Sequence, residues 1–311
     1  MANAILFVHG RSTKPAKAAL WRLWLAATRH GIARDHPARL DAFTAARKEF
    51  VYYGDVSNAY LRSRGTSYDE ARDVAGRKLS LQQLRALPAD AFTKENYERL
   101  PGKNAALELL ADVGASTLGG LRIAGKLIEA AAPDIHEYWN FDSAFGTDVR
   151  FPMIAPLQRA MDRADRILVV SHSLGTLIAY DTLWKFSRAG EYRPRYTDKV
   201  VDTWITLGSP LGDETVKRKL KGARAGGKRR FPANVRHWHN VAAEDDYISH
   251  DGTLADDYRA MLDAALVDSI TDHRIYNLAL RDGRSNPHHG LGYLVHPTVA
   301  RLIADWLGKT S

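Results

Sequence analysis

Apolar residues in this chain are arranged in two ways. Short apolar-rich runs occupy 4–8, 49–53, 166–170, 200–207, 235–243 and 274–280. Longer stretches space them three and four apart, as with Leu20, Trp21, Trp24 and Leu25 in 18–30 and Val299, Leu302, Ile303 and Trp306 in 298–307. The first arrangement predicts buried strands and the second predicts amphipathic helices. Residues 174–186 are predicted as a further helix, and 149–164 as one broken near Pro152 and Pro156. Strands alternating with helices imply an α/β fold, with a mostly parallel central sheet covered by helices on both faces.

One stretch departs from this alternation. Residues 68–132 are rich in Ala, Leu, Arg and Glu and contain no strand pattern. They are expected to form a helical insertion, weakened in its middle by the small residues at 113–120. The 311 residues otherwise form a single domain, a length α/β folds often reach.

Composition narrows the chemistry. There is no cysteine, which excludes disulfides, thiolate catalysis and thiolate metal sites and fits a reducing compartment. No run approaches the roughly 18 apolar residues of a membrane span. The first apolar run is too short for a secretory signal. A cytoplasmic location is therefore expected. The net charge of +8 draws attention to anionic partners.

The most informative segment is Ile167-Leu168-Val169-Val170-Ser171-His172-Ser173-Leu174-Gly175-Thr176. An apolar strand runs into a turn, and a helix begins at once. A serine on such a turn is lifted above the carboxyl edge of the sheet. Small residues two before and two after it, here Ser171 and Gly175, prevent clashes. The amide of Leu174, at the helix N-terminus, is placed to stabilise an oxyanion. This segment resembles the nucleophile elbow of α/β-hydrolase-fold esterases and lipases, with Ser171 in place of the usual first glycine. Phe7-Val8-His9-Gly10-Arg11-Ser12 resembles the same family's oxyanion turn, in which the Gly10 or Arg11 amide is the second donor.

The resemblance implies Ser173 as nucleophile, followed in chain order by an acid and then a histidine. Glu244-Asp245-Asp246 leaves the carboxyl end of a predicted strand. Asp246 is favoured as the acid, with Asp245, Glu244 and, further off, Asp213 as alternatives. Asn286-Pro287-His288-His289-Gly290 precedes the last helix, and both His288 and His289 are candidates for the base. His288 is preferred because Pro287 stiffens its backbone. His296, beside Pro297, is read as a cap or packing residue, and His237 and His239 as structural. No metal-binding spacing is present, and no cofactor is expected.

The implied activity is hydrolysis of a carboxylic ester through an acyl-enzyme. Thioester cleavage, amide cleavage and acyl transfer use the same residues, and a non-catalytic hydrolase-like binding scaffold is the alternative from another class. The 68–132 insertion is read either as a lid over an acyl pocket or as an extra packing layer. The Gly-interleaved basic run 217–230 suggests contact with an anionic headgroup or membrane surface, or else a solvated loop. It lacks interleaved aromatic residues, so nucleic acid is not an expected partner.

Overall fold

The computed structural model describes residues 2–102, 133–140, 142–163, 165–249 and 252–309. Six strands form one sheet: β1 (Asn3–Val8), β2 (Arg47–Val51), β3 (Arg166–His172), β4 (Val201–Leu207), β5 (Val235–Ala243) and β6 (Ser269–Ile275). Their spatial order is β2-β1-β3-β4-β5-β6, and every pairing is parallel. The protein is therefore α/β, as its pattern of runs implies.

Alternate residues of the central strands enter two separate cores. Ala4, Leu6, Val8, Ile167 and Val169 pack into one, and Ile5, Phe7, Leu168 and Val170 into the other. Both faces are buried, which explains why residues 4–8 of β1 and 167–170 of β3 are continuously apolar rather than alternating. The helices Phe145–Asp162 and Leu174–Arg188 lie on the first face. Lys17–Asp35, Glu70–Arg85, Gly290–Val295 and Pro297–Gly308 lie on the second.

Two sequence expectations need correction. The helix containing Pro152 and Pro156 is continuous from Phe145 to Asp162. The buried residues Val149, Met153 and Leu157 anchor it to the core, and that packing outweighs the lost backbone hydrogen bonds. The last strand is Ser269–Ile275 rather than 274–280. It lies at the sheet edge, so its half-exposed, polar-rich sequence carries little apolar signal. Of the 68–132 insertion, 68–102 forms the helices Glu70–Arg85 and Lys94–Glu98. These pack Leu81, Leu84 and Tyr97 into the second core. The small-residue stretch 113–120, and with it most of the lid question, lies outside the described residues. Among the described residues no helix is long and apolar enough to cross a membrane.

The strand order reverses between β1 and β3, because the chain passes from β1 to β2 on one side and returns to β3 on the other. A crevice opens at the carboxyl ends of strands at such a switch point. The turns after β1 and β3 flank it.

Candidate active site

Ser173 follows β3 and caps the helix Leu174–Arg188 with φ 54° and ψ −126°. L-residues rarely enter that region. The Ser173 amide donates to the Leu207 carbonyl at 3.0 Å, which ties the turn to β4. Gly175 is required by close approach: a Cβ there would lie 2.4 Å from the His9 carbonyl oxygen. Ser171 does more than stay small, since its hydroxyl accepts a hydrogen bond from Trp204 Nε1 at 2.8 Å. That ring is buried and stacked on Trp238 of the next strand, with centroids 4.5 Å apart.

Ser173 Oγ lies 2.9 Å from His288 Nε2. His288 Nδ1 lies 3.0 and 2.9 Å from the two carboxylate oxygens of Asp246. A neutral imidazole that donates from Nδ1 to the carboxylate has a bare Nε2, which can accept from the serine hydroxyl. Asp246 is buried. Burial pushes its carboxyl up, but His288 and the Tyr293 hydroxyl outweigh that and hold it below the ordinary carboxylate range. Tyr293 donates to Asp246 Oδ2 at 2.6 Å and accepts from the Ala243 amide at 2.9 Å. The Ile248 amide donates to Asp246 Oδ1 at 3.0 Å. A buried hydroxyl is thus within reach of a base whose other nitrogen faces a fixed carboxylate, an arrangement able to deliver an alkoxide-like nucleophile.

The sequence candidates separate clearly in space. His289 is buried beside the cleft and opens the helix Gly290–Val295, but the histidine on Ser173 is His288. Asp245 accepts from Tyr97, Glu244 faces Arg274 at 3.6 Å, and Asp213 caps the helix Glu214–Lys217. None of these three replaces Asp246 at His288. His296 caps the last helix through Thr298, and burial lowers its pKa to about 3. His237 meets Ser269 and His239 meets His273 within the sheet.

The turn after β1 is braced from two sides. The Tyr53 amide donates to His9 Nε2 at 3.1 Å, so His9 carries its proton on Nδ1 and donates to the Gly10 carbonyl at 2.8 Å. A trans peptide sets its carbonyl and amide on opposite sides, so the Arg11 N–H points away from the His9 ring. Arg11 Nε and the Ser12 amide both donate to the buried Asp134, at 2.9 and 2.8 Å. A Cβ on Gly10 would stand 2.9 Å from Ser173 Cβ and 2.6 Å from His172 Nδ1, so the turn lies directly against the serine.

No protein-family model matches this chain, and no curated protein sequence does. The site is therefore read from its own geometry.

Four contributors escaped the sequence reading. Gly208 follows β4 with φ +53°, and a Cβ there would meet Asp246 Oδ2 at 2.7 Å. Its signal was a glycine at the carboxyl edge of the sheet. Asp134 lies far from Arg11 in sequence and gives no local signal. His172 and Tyr293 sit inside recognised motifs, but their polar contacts depend on tertiary structure. The basic run 217–230 does not line the cleft at Ser173. It borders a separate groove of about 1050 Å3 with Trp139 and Trp184, and Lys217 is paired with Glu214 and Asp257.

Proposed function

We propose that this protein is a serine hydrolase of the α/β-hydrolase type that cleaves a carboxylic ester. The observation that carries the reading is the hydrogen-bonded chain Ser173–His288–Asp246, set at the switch point of a parallel sheet. The order of the three residues along the sequence matches that family.

In the proposed reaction Ser173 Oγ attacks the ester carbonyl while His288 Nε2 takes its proton. Asp246 stays ionised and stabilises the imidazolium. The oxyanion is held by the Leu174 amide, which has no intrahelical acceptor at the first helical position, and by the Arg11 amide. Each such donor contributes about 3 kcal/mol in comparable sites. His288 returns its proton to the leaving alkoxide as the carbonyl re-forms. Water, deprotonated by His288, then attacks the acyl-enzyme, and the acid leaves as Ser173 recovers its proton. No cofactor enters the cycle. A scaffold that only bound a partner would give no reason for the strained backbone at Ser173.

The test is turnover of p-nitrophenyl acetate. Wild type hydrolyses it, and Ser173→Ala and His288→Ala each lose about a thousandfold or more. Equal rates in wild type and both variants refute the proposal.

A further inference from the structure

The turn after β1 carries a second strained residue. Ser12 has φ 73°, in the region that L-residues rarely enter, and it lines the same cleft as Ser173. Such a conformation persists only where neighbouring groups over-determine it. At Ser12 the determining group is Asp134. Its Oδ2 accepts from the Ser12 amide at 2.8 Å. Its Oδ1 accepts from Nε and Nη2 of Arg11, each at 2.9 Å, and from the Ile135 amide at 3.2 Å. Both side chains of the Arg11–Asp134 pair are more than nine-tenths buried.

These contacts fix the two peptides that flank the Arg11 Cα. The Gly10–Arg11 peptide is held at its carbonyl by His9. The Arg11–Ser12 peptide is held at its amide by Asp134 and at its carbonyl by Lys14 Nζ. With both planes set, the direction of the Arg11 N–H is set as well. Asp134 is in turn held from the other half of the site. It sits on the helix Pro133–Tyr138, whose Ile135 and Tyr138 enter the first core. The Tyr138 hydroxyl donates to Asp181 at 2.7 Å. Asp181 lies on the helix Leu174–Arg188, which begins at the Leu174 amide. The short helix Pro133–Tyr138 therefore joins the turn that carries one proposed oxyanion donor to the helix that carries the other.

We infer that Asp134 is a positioning residue for oxyanion stabilisation, holding the Arg11 amide in register with the Leu174 amide. This inference deepens the hydrolase reading and rests on it. Oxyanion donors are effective only when they are already held where the charge develops. A carboxylate suits that task, because its hydrogen bonds to an amide and a guanidinium are charge-assisted and short. Asp134 is fully buried and acts through Arg11 and Ser12.

The experiment follows p-nitrophenyl acetate turnover by Asp134→Asn across pH. Displacing one donor is expected to lower kcat about thirtyfold and to leave KM within about twofold. The acid limb of kcat/KM, set by His288, stays at its wild-type pH. A trifluoromethyl ketone, which forms a tetrahedral oxyanion on Ser173, loses affinity by about the same factor as kcat/KM. Asp134→Asn also takes the carboxylate from a buried guanidinium, which threatens folding. The companion variant Arg11→Met/Asp134→Asn removes both charges and keeps a side-chain oxygen for the Ser12 amide. Its kcat is expected to fall between those of Asp134→Asn and wild type. Unchanged kcat in the folded variants, a loss carried by KM or by a shifted His288 limb, or an unchanged affinity for the ketone overturns the inference and leaves the hydrolase reading standing. A folded wild type that turns over no ester removes both.

Discussion

His172 donates from Nε2 to the backbone carbonyl of His288 at 2.9 Å, so the residue before the serine fixes the backbone of the histidine that faces it. Burial, followed by the neighbouring His288, keeps the His172 imidazole well below its ordinary pKa. It is therefore neutral, with its one proton on Nε2. Its bare Nδ1 stands against Gly10, which links the three turns around the cleft.

Removing that donor displaces His288, the base of the proposed reaction, without touching substrate. His172→Leu is expected to lower kcat about tenfold or more with little change in KM, since a hydrogen bond of this kind is worth about 1 kcal/mol and misplacement adds to it. His172→Gln, which keeps a side-chain N–H, recovers part of the loss. Steady-state kinetics on a neutral ester check both variants. A change confined to KM would place His172 in substrate binding instead.

Tyr293 orients Asp246, the acid of the proposed reaction. Tyr293→Phe removes the donor to Asp246 and strands the buried Ala243 amide. A hydrogen bond to a charged group contributes roughly 1.5–3 kcal/mol, so kcat is expected to fall about ten- to a hundredfold. Urea denaturation should show a loss of about 1–3 kcal/mol from the unsatisfied amide.

Strain at the turn is separable from chemistry. Ser173→Gly relieves the positive φ, worth about 1–3 kcal/mol, against an entropic cost of about 0.4–1 kcal/mol in the unfolded chain. The variant is expected to be inactive yet more stable by about 1 kcal/mol, read as a raised denaturation midpoint. Gly175→Ala acts in the opposite direction. Its Cβ meets backbone oxygen at 2.4 Å, and it is expected to destabilise the fold by about 1–3 kcal/mol or more.

Stability should depend on pH through buried histidines. Burial is the leading cause of the lowered pKa values of His9, His172 and His296, the last at about 3. Unfolding exposes them to protonation near the ordinary 6.5, so the unfolded state binds more protons below that pH. Stability is then fullest above about pH 6.5 and falls as pH drops, by up to about 1.4 kcal/mol per unit for each such histidine. Asp246, whose carboxyl is depressed, contributes stability above about pH 4 that is lost only as pH falls through its folded value. Urea titrations at pH 7.5 and 5.5 check this. Equal stability at the two values contradicts it.

Much of this architecture is visible in the primary sequence because its signals are local. Unbroken apolar runs reveal β1 and β3, and the Ser173 turn is flagged by the strand before it and the helix after it. Asp246 and His288 are named from their positions after a strand and before the last helix. The choice between His288 and His289 is not local, since it depends on which ring the Asn286–Gly290 turn directs inward. The edge strand Ser269–Ile275 is hidden by its polar residues, and the helix over Pro152 and Pro156 is held by tertiary packing. The carboxylate under the oxyanion turn is the least legible feature. Asp134 looks like an ordinary acid at a helix start until the fold brings it to Arg11 and Ser12.

The central claim concerns one oxygen atom, and mass spectrometry of the protein after exposure to a fluorophosphonate tests it most directly. The account predicts a single phosphonyl adduct on the peptide containing Ser173, absent in Ser173→Ala and strongly slowed in His288→Ala. An unmodified folded wild type, or an adduct on any other residue, contradicts it.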